Sequence, residues 1–328
     1  MAGSPCLYGL LLVLENRNVS EAELTDEIAS AIGILKRLAV ADKETRARLQ
    51  AYGVDVIPVN FYSNTPSIAD IESSYEYASD DPPYLDPRVF EPETLRRTLR
   101  QLVEFSAEFS PPLNGNEDEP NGFFWSNSVF SYSDAMAYYC FVRQIKPATI
   151  VEIGSGFSTL VAIQAVEQNR VGKIHCIEPY PRRFLSKENR INLHPSKAQE
   201  ISPEYLNEIL RDNDILFIDS THTVKTGSDC LHIYLRLLPR IRRKIFVHVH
   251  DVFLPFGMPK DWLLNHRYFW TEQYLLLAFL IDNPKARLLY GSNYNAKWNS
   301  SLMEELMMQK YGTGGGSLWF QYDGGLNL

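Results

Sequence analysis

The feature that most constrains this chain is the stretch Thr149–Leu160, where an apolar segment runs into a glycine-rich turn. Its β-branched first half is typical of a parallel strand that helices cover on both faces. Gly154 and Gly156 allow turn conformations closed to other residues, and they let a ligand lie against bare backbone. A helical pattern begins near Ser158, and the free N–H groups at its start would point at that ligand. The stretch predicts a nucleotide-type binding turn; a tight turn that binds nothing is the alternative.

Later apolar segments share this pattern, and each of them ends in an acid: Lys173–Glu178, Asp214–Asp219 and Ile245–Asp251. Strands that alternate with helices form a parallel sheet with right-handed crossovers. Ligands on such sheets bind beyond the carboxyl ends of the strands. We therefore expect the acids at these ends to gather round one cleft: Glu152, Glu178, Asp219 and Asp251.

The pattern as a whole predicts an α/β fold, a Rossmann-like, doubly wound and mostly parallel sheet. Arg287–Tyr290 and Ser317–Phe320 predict a closing antiparallel strand pair. The link 110–122 is rich in Pro, Asn, Gly and Glu, which is typical of a domain boundary. We therefore expect a mainly helical cap over residues 1–121 and the main domain over residues 122–328.

Within the predicted cap, a helix with capping-box spacing begins at Ser20 and its pattern continues to about Gly53. This helix is a candidate for homo-oligomerisation, and packing on the main domain is an equal alternative. Val54–Tyr62 predicts a short strand broken by Pro58. Near the other end of the chain, Trp262–Leu280 predicts a helix rich in aromatic residues.

Charge and cysteine content limit the partners and the compartment. The formal net charge is -8, whereas a non-specific nucleic-acid surface needs a basic face, so no nucleic-acid partner is expected. No apolar run is long enough to span a bilayer, so a membrane partner is not expected either. The cysteines lie far apart and form no C-x-x-C pair, which predicts reduced thiols in a cytoplasmic protein: Cys6, Cys140, Cys176 and Cys230. The expected partner is a small-molecule substrate.

The glycine turn does not match the dinucleotide fingerprint, because Thr159 occupies the third glycine position. It also lacks the lysine of a P-loop. An acid two residues before the first glycine, then Gly, Gly and Ser at alternate positions, resembles the first motif of class I S-adenosylmethionine-dependent methyltransferases. The segment 123–320 resembles such a domain throughout. Three stretches are similar to a little-characterised branch of small-molecule methyltransferases: Val59–Ser63, Phe217–Asp229 and His248–Pro255.

The resemblance implies that S-adenosylmethionine is the cofactor and that the turn and the following strands hold it. Glu178 ends the second strand, where a carboxylate accepts hydrogen bonds from both ribose hydroxyls in dinucleotide folds. The residues expected at the cofactor are Glu152, Gly154, Ser155, Gly156, Ser158, Glu178 and Asp219.

The same resemblance suggests a metal site. Asp219 and Asp251 fall where metal-dependent O-methyltransferases of the catechol type place two metal-binding carboxylates. Here Val252 follows the second aspartate and His250 precedes it. A divalent metal is therefore a candidate cofactor, and a mixed site would suit a transition metal better than magnesium, because imidazole prefers such ions. Its expected ligands are Asp219, His222, His250 and Asp251.

The implied activity is methyl transfer from S-adenosylmethionine to an oxygen of a small molecule. An acceptor hydroxyl must lose its proton, and a positioned histidine contributes about 10²–10⁴-fold to such a step. His250 and His222 are the candidate bases, and Asp251 and Lys225 complete the expected catalytic set. Two alternatives stay open at this point: a metal-dependent hydroxylase or hydrolase on the same fold, and a non-catalytic binding protein.

Overall fold

The computed structural model describes residues 21–130 and 132–326. The chain divides into two compact units, one up to Ser67 and the other from Ile68 to Leu328. The first unit contains the helices α1 (Glu21–Leu38) and α2 (Lys43–Ala51). The helix expected up to Gly53 is therefore divided, because the Asp42 carboxylate accepts a hydrogen bond from the Thr45 N–H at 2.8 Å and begins α2 anew. The predicted start at Ser20 lies outside the described residues.

The strand expected over residues 54–62 is wrong, since this segment is irregular. Pro58 lacks an N–H group and cannot donate to a strand ladder. Val59 and Phe61, which would alternate with polar residues in a half-buried strand, are 80% and 88% exposed. Local β-branched content thus predicted a strand that no sheet contact supports.

The second unit is built on one seven-stranded sheet with the order β3-β2-β1-β4-β5-β7-β6. The first five strands along the chain pair in parallel, and β7 runs antiparallel to both β5 and β6. The predicted fold class and its closing antiparallel pair are confirmed. The strands are β1 (Thr149–Ile153), β2 (Lys173–Ile177), β3 (Ile191–His194), β4 (Ile215–Ile218), β5 (Lys244–Val249), β6 (Ala286–Gly291) and β7 (Leu318–Asp323).

Helices flank this sheet, and several single turns join them. The helices of the second unit are α3 (Ile68–Glu72), α4 (Pro92–Ser106), α5 (Tyr132–Ile145), α6 (Phe157–Asn169), α7 (Arg183–Ser186), α8 (Pro203–Ile209), α9 (Asp229–His232), α10 (Glu272–Leu280), α11 (Ser292–Trp298) and α12 (Ser300–Leu306). Wider π-type turns follow α9 at Ile233–Leu237 and occur again at Trp262–His266, and 3-10 turns lie at Tyr75–Tyr77, Ala198–Glu200 and Leu238–Arg240. Among the described residues, no helix has the length and apolar character that crossing a membrane requires.

The helix expected over Trp262–Leu280 is interrupted. Its first turn ends at Arg267, whose backbone is left-handed with φ of 58°, and a regular helix begins only at Glu272. An L-residue in that conformation cannot continue a right-handed helix. The segment between the two therefore presents its aromatic side chains from an irregular loop.

The boundary between the units lies at Ser67 and not in the link 110–122, where the sequence predicted it. Helix α4 explains the difference, because its Leu99 and Leu102 are fully buried in the same apolar cluster as Ile150 of β1. The polar link is consequently a surface loop within one unit. The cysteines that the structure describes, Cys140, Cys176 and Cys230, are free and buried, and Cys6 lies outside the described residues.

A buried carboxylate supports the glycine turn from below. Glu152 of β1 has no exposed surface, and it accepts hydrogen bonds from the Tyr138 hydroxyl at 2.9 Å and the Thr159 hydroxyl at 2.5 Å. Burial raises the pKa of Glu152 to about 7, although both hydroxyl groups act in the opposite direction. The carboxyl group thus ties α5 and α6 to the first strand.

This raised pKa predicts a pH-dependent stability. Between pH values near 4.5 and 7 the folded chain holds a proton that the unfolded chain releases, so the free energy of unfolding falls as the pH rises. Glu152→Gln removes this titration. We expect the free energy of unfolding of the variant, measured by urea denaturation, to rise relative to that of the wild type between pH 5 and pH 8, by up to about 3 kcal/mol. If the free energy of unfolding depends on pH in the same way in both proteins, the raised pKa of Glu152 is wrong. Glu204→Gln, at an exposed position, is the control.

Candidate functional site

The glycine turn after β1 crosses the ends of both neighbouring strands. Gly154 has φ of +84°, and a Cβ atom there would lie 1.9 Å from the carbonyl oxygen of Asp219 at the end of β4. On the other side, the Gly154 N–H donates to the Ile177 carbonyl at 3.0 Å, and the Ser155 N–H donates to the Glu178 carboxylate at 3.3 Å. A Cβ atom on Gly156 would meet nothing within 4 Å. Packing therefore requires glycine at the first position only.

A cavity of about 350 Å³, which we call the glycine-turn cavity, lies beyond these strand ends. Three of the residues expected at the cofactor line it: Gly154, Glu178 and Asp219. The Glu178 carboxylate is held by backbone groups, since it also accepts a hydrogen bond from the Tyr180 N–H at 2.8 Å. The structure thus brings the acid of the second strand against the glycine turn.

The other residues expected at the cofactor have different places. Glu152 and Ser158 are buried, and neither lines the glycine-turn cavity. Both oxygens of Glu152 accept hydrogen bonds within the core, and its contact with a cofactor stays a prediction. Ser155 and Gly156 lie in the turn beside the cavity without being among its lining residues.

Four side chains from the ends of β4 and β5 converge into what we call the His–Asp cluster: Asp219, His222, His250 and Asp251. The His222 Nε2 atom lies 3.2 Å from Asp219 Oδ1 and 3.6 Å from Asp251 Oδ2. The His250 Nδ1 atom lies 3.5 Å and 3.8 Å from the same two oxygens. The sequence predicted this meeting of residues, because neighbouring parallel strands end at one edge of the sheet.

Two members of the cluster have a strained backbone. His222 and Asp251 are left-handed, with φ of 57° and 55°. The carbonyl oxygen of His222 accepts hydrogen bonds from the N–H groups of Thr271 and Glu272, at 2.8 Å and 3.0 Å. Residues held in this region cost about 1–3 kcal/mol each and concentrate at functional sites. The surrounding contacts therefore impose a geometry that these residues would not adopt alone.

Glu272 lies behind His222 and was missed in the sequence. Its side chain is 2% exposed, and one oxygen lies 2.8 Å from His222 Nδ1 and accepts a hydrogen bond from the Ser220 hydroxyl at 2.8 Å. The other oxygen accepts a hydrogen bond from the Tyr234 hydroxyl at 2.9 Å. A carboxylate bound to Nδ1–H leaves Nε2 of His222 facing the two aspartates with a free lone pair or a proton.

Asp134 of α5 has the corresponding place behind His250, and it too was missed. One carboxylate oxygen accepts a hydrogen bond from the Gly316 N–H at 3.0 Å and lies 3.5 Å from His250 Nε2. The other accepts a hydrogen bond from the Ser292 hydroxyl at 3.0 Å. The only sign of Asp134 in the sequence was that it is a lone acid in an otherwise apolar helical pattern, and the same is true of Glu272.

The electrostatics of the cluster follow from these pairs. Burial alone would lower the pKa of His222, but hydrogen bonds to Asp219 and Glu272 raise it to about 10. Burial likewise opposes the charged form of His250, yet the attraction of Asp251 and Asp219 raises its pKa well above the usual range. For Asp219 burial is outweighed by the two histidines, which hold its pKa well below the usual range, whereas burial raises the pKa of Asp251. A metal ion would have to displace these protons.

The donor set fits a divalent transition metal. One atom each from Asp219, His222 and Asp251 lie within 4.8 Å of one another, and such atoms are about 3.4 Å apart round a tetrahedral ion. The Glu272 carboxylate on His222 Nδ1 is the support that metal-binding histidines usually have. His250 Nδ1 is buried and has no hydrogen-bond partner in the described part of the chain. Three ligands with His250 beside them resemble an open, catalytic site more than a closed structural one.

A second cavity of about 490 Å³, the aromatic cavity, lies on the other side of the cluster. His250, Asp251 and Asp134 line it, together with Phe253 and Trp262. The glycine run Gly312–Gly316 closes one wall. Since Asp219 lines the glycine-turn cavity, the cluster lies between the two cavities.

Lys225 does not join the site in the way that the sequence suggested. It is exposed on the loop after β4, and it lines neither the glycine-turn cavity nor the aromatic cavity. Its backbone N–H donates to the Ser228 hydroxyl at 3.3 Å, which fixes the loop ahead of α9. The catalytic role expected of Lys225 therefore has no support from the cavity geometry and stays a prediction.

The unequal space round the two glycines gives a test. Gly154→Ala should lower the free energy of unfolding by about 2 kcal/mol or more, because the new Cβ would collide with the Asp219 carbonyl at the left-handed position. Gly156→Ala is the matched control and should change the free energy of unfolding by less than about 1 kcal/mol. Urea denaturation measures both, and equal losses would show that the close approach at Gly154 is wrong.

The chain matches a family model and is similar to a protein of known sequence. Residues 151–252 match the family model described as a methyltransferase domain. An uncharacterized protein from Archaeoglobus fulgidus is 31% identical over 135 residues, which are 40% of this chain and 61% of that protein, so the match spans less than two thirds of that relative.

Two solved structures are similar at low identity. The O-methyltransferase TomG from Streptomyces achromogenes, solved in complex with S-adenosylmethionine, is 14% identical, with a TM-score of 0.37 over 69% of this chain and 88% of that chain. An O-methyltransferase from Bacillus cereus is 13% identical, with a TM-score of 0.36 over 69% of this chain and 90% of that chain. The family model agrees with the resemblance that the glycine turn suggested: its match, residues 151–252, includes the turn and the whole His–Asp cluster.

Proposed function

We propose that this protein transfers a methyl group from S-adenosylmethionine to a hydroxyl oxygen of a small molecule. The observation that carries the proposal is the position of the His–Asp cluster between two cavities. The glycine-turn cavity would take the cofactor, and the aromatic cavity would take the acceptor. Alignment of donor and acceptor across such a junction supplies much of the acceleration of an in-line displacement.

Three residues of the glycine-turn cavity would hold the cofactor. Gly154 has no side chain over its backbone, and the carboxylate of Glu178 is fixed by two N–H groups. Asp219 also belongs to the His–Asp cluster. An ionised carboxylate has about four acceptor positions, so Glu178 can also accept hydrogen bonds from both ribose hydroxyls. The proposed cofactor thus spans from β2 to the cluster at the end of β4.

His250 is the proposed general base, because it is the histidine that lines the aromatic cavity. Its imidazole can take the acceptor proton, and the Asp134 carboxylate 3.5 Å from Nε2 stabilises the imidazolium that forms. A hydroxyl acceptor needs this removal of a proton, whereas a neutral amine attacks with its own lone pair. The His250–Asp134 pair therefore favours oxygen as the acceptor atom.

Asp219, His222 and Asp251 would hold a divalent metal, which lowers the pKa of an acceptor hydroxyl when bound. His222 lines neither cavity, so its role is to complete this ligand set while Glu272 fixes its ring. The attraction of Asp219 and Asp251 keeps a proton on His250 in the metal-free chain. A metal ion held by Asp219 and Asp251 would weaken this attraction and so lower the pKa of His250 toward its usual range.

Cofactor binding is the first test. S-adenosylhomocysteine should bind the purified protein in calorimetry, and Glu178→Ala should weaken it by about 10- to 100-fold, because two hydrogen bonds to a charged group are lost. The exposed Glu204→Ala should bind as the wild type does. A wild-type protein that binds neither S-adenosylhomocysteine nor S-adenosylmethionine would exclude the proposed function.

The two histidines should separate metal binding from catalysis. His222→Ala should lose Co²⁺ binding, and Glu272→Gln should weaken it by about 10- to 100-fold through loss of the charge behind the ring. His250→Ala should still bind Co²⁺ but transfer methyl groups about 10²–10⁴ times more slowly to an acceptor found by screening hydroxylated compounds. Calorimetry and the release of S-adenosylhomocysteine measure the two effects.

The opposite pattern would reverse the roles. If His250→Ala removes Co²⁺ binding and His222→Ala only slows the reaction, His250 is a ligand and His222 is the base. Stoichiometric metal with turnover in the absence of any methyl donor would favour a hydroxylase or hydrolase.

A further inference from the structure

The charges that line the aromatic cavity restrict what it can bind. Its ionisable lining side chains, among the described residues, are Asp134, His250, Asp251 and the phenol of Tyr132, and no lysine or arginine is among them. Lys260 follows Pro259 of the wall, but its ammonium group lies over the ring of Tyr77, 5.5 Å from the centroid, and Tyr77 is not a lining residue. An anionic ligand would thus lose its hydration without gaining an unpaired cation, because the imidazole of His250 already lies 3.5 Å from Asp134 and 3.8 Å from Asp251.

Aromatic side chains also line the cavity. Phe253 and Trp262 are half-buried, and their ring centroids lie 5.1 Å apart at 78°, an edge-on arrangement that fixes both rings. Trp270 supports Trp262 from behind at 5.5 Å and 88°. Half-exposed rings held in this way offer a flat apolar face to a planar ligand, and their π faces also attract a cation.

The volume limits the size of the ligand. A cavity of about 490 Å³ lies at the lower end of the range that holds small molecules. Its other lining residues carry no charge, and four of them have polar side chains: Asn127, Ser128, Asn293 and Thr313. The cavity thus suits a compact ring system with a short polar tail, placed with one hydroxyl toward His250.

We propose that the acceptor is a hydroxylated aromatic molecule without negative charge, and that a protonated amine on its tail is favoured over a carboxylate. This proposal rests on the proposed function for the place of the reacting hydroxyl. It goes beyond it by giving the charge and shape class of the acceptor. The ring would lie against Phe253 and Trp262, and the tail would extend toward the uncharged polar side chains, with Asp134 and Asp251 as the nearest lining carboxylates.

Three probes that share a phenol ring and differ in the charge of the tail test the class. Tyramine carries an amine, 4-(2-hydroxyethyl)phenol is neutral, and 3-(4-hydroxyphenyl)propanoate carries a carboxylate. Binding to the full chain with S-adenosylhomocysteine and Co²⁺ present is measured by calorimetry. We expect the Kd of the carboxylate probe to be about tenfold higher than that of the amine or more, from the charge of nearby carboxylates.

Three substitutions test whether the order of affinities arises in the cavity. Thr313→Lys adds a cation at an exposed lining position and should narrow or reverse the preference for tyramine. Gln168→Lys adds the same charge at an exposed site on α6 outside the aromatic cavity and should leave the preference unchanged. Trp262→Ala should weaken all three probes together, because it removes the shared aromatic wall.

The outcomes distinguish a failure of the proposed acceptor class from a failure of the proposed function. If the wild-type protein does not bind S-adenosylhomocysteine, the proposed function itself is wrong. Normal S-adenosylhomocysteine binding with equal or tighter binding of the carboxylate probe, or with no binding of any probe, would overturn the acceptor class alone. A preference for the amine that Thr313→Lys reduces and Gln168→Lys leaves intact would establish it.

Discussion

The close approach of two backbones, at Gly154 and at the carbonyl of Asp219, is the constraint on which the site depends. No side chain fits between them, so the turn after β1 lies directly on the end of β4. That contact brings the ends of β1 and β4 together, and so places the glycine-turn cavity next to the His–Asp cluster. A wider separation would leave both features intact and yet too far apart to act on the same pair of reactants.

The cluster depends on elements beyond the two strands that carry it. β4 and β5 supply its four members, but α5 and α10 supply the carboxylates behind the histidines, and Gly316 before β7 supplies an N–H group to one of them. Each ring is therefore fixed between a buried acid and the two aspartates. Such supporting groups set which nitrogen carries the proton, and hence which nitrogen is free for a metal or a substrate.

The sequence predicted those parts of the site that neighbouring strand ends bring together, such as Asp219 and the pair His250–Asp251. It could not predict Asp134 and Glu272, because a lone acid in an apolar helix carries no local sign of the partner that it meets in the fold. Glu152 lies two residues before Gly154, yet it points into the core beneath the turn and not into the cleft. Val54–Tyr62 shows the converse error, since strand propensity without a neighbouring strand forms no sheet.

The left-handed backbones of His222 and Asp251 also bear on how this protein could be engineered for robustness. Glycine relieves the steric conflict of an L-residue in that region, about 1–2 kcal/mol at each position. A search guided by thermal tolerance alone would therefore favour glycine at two members of the His–Asp cluster. Under the proposed function, these two backbone angles are a trade-off of stability for activity.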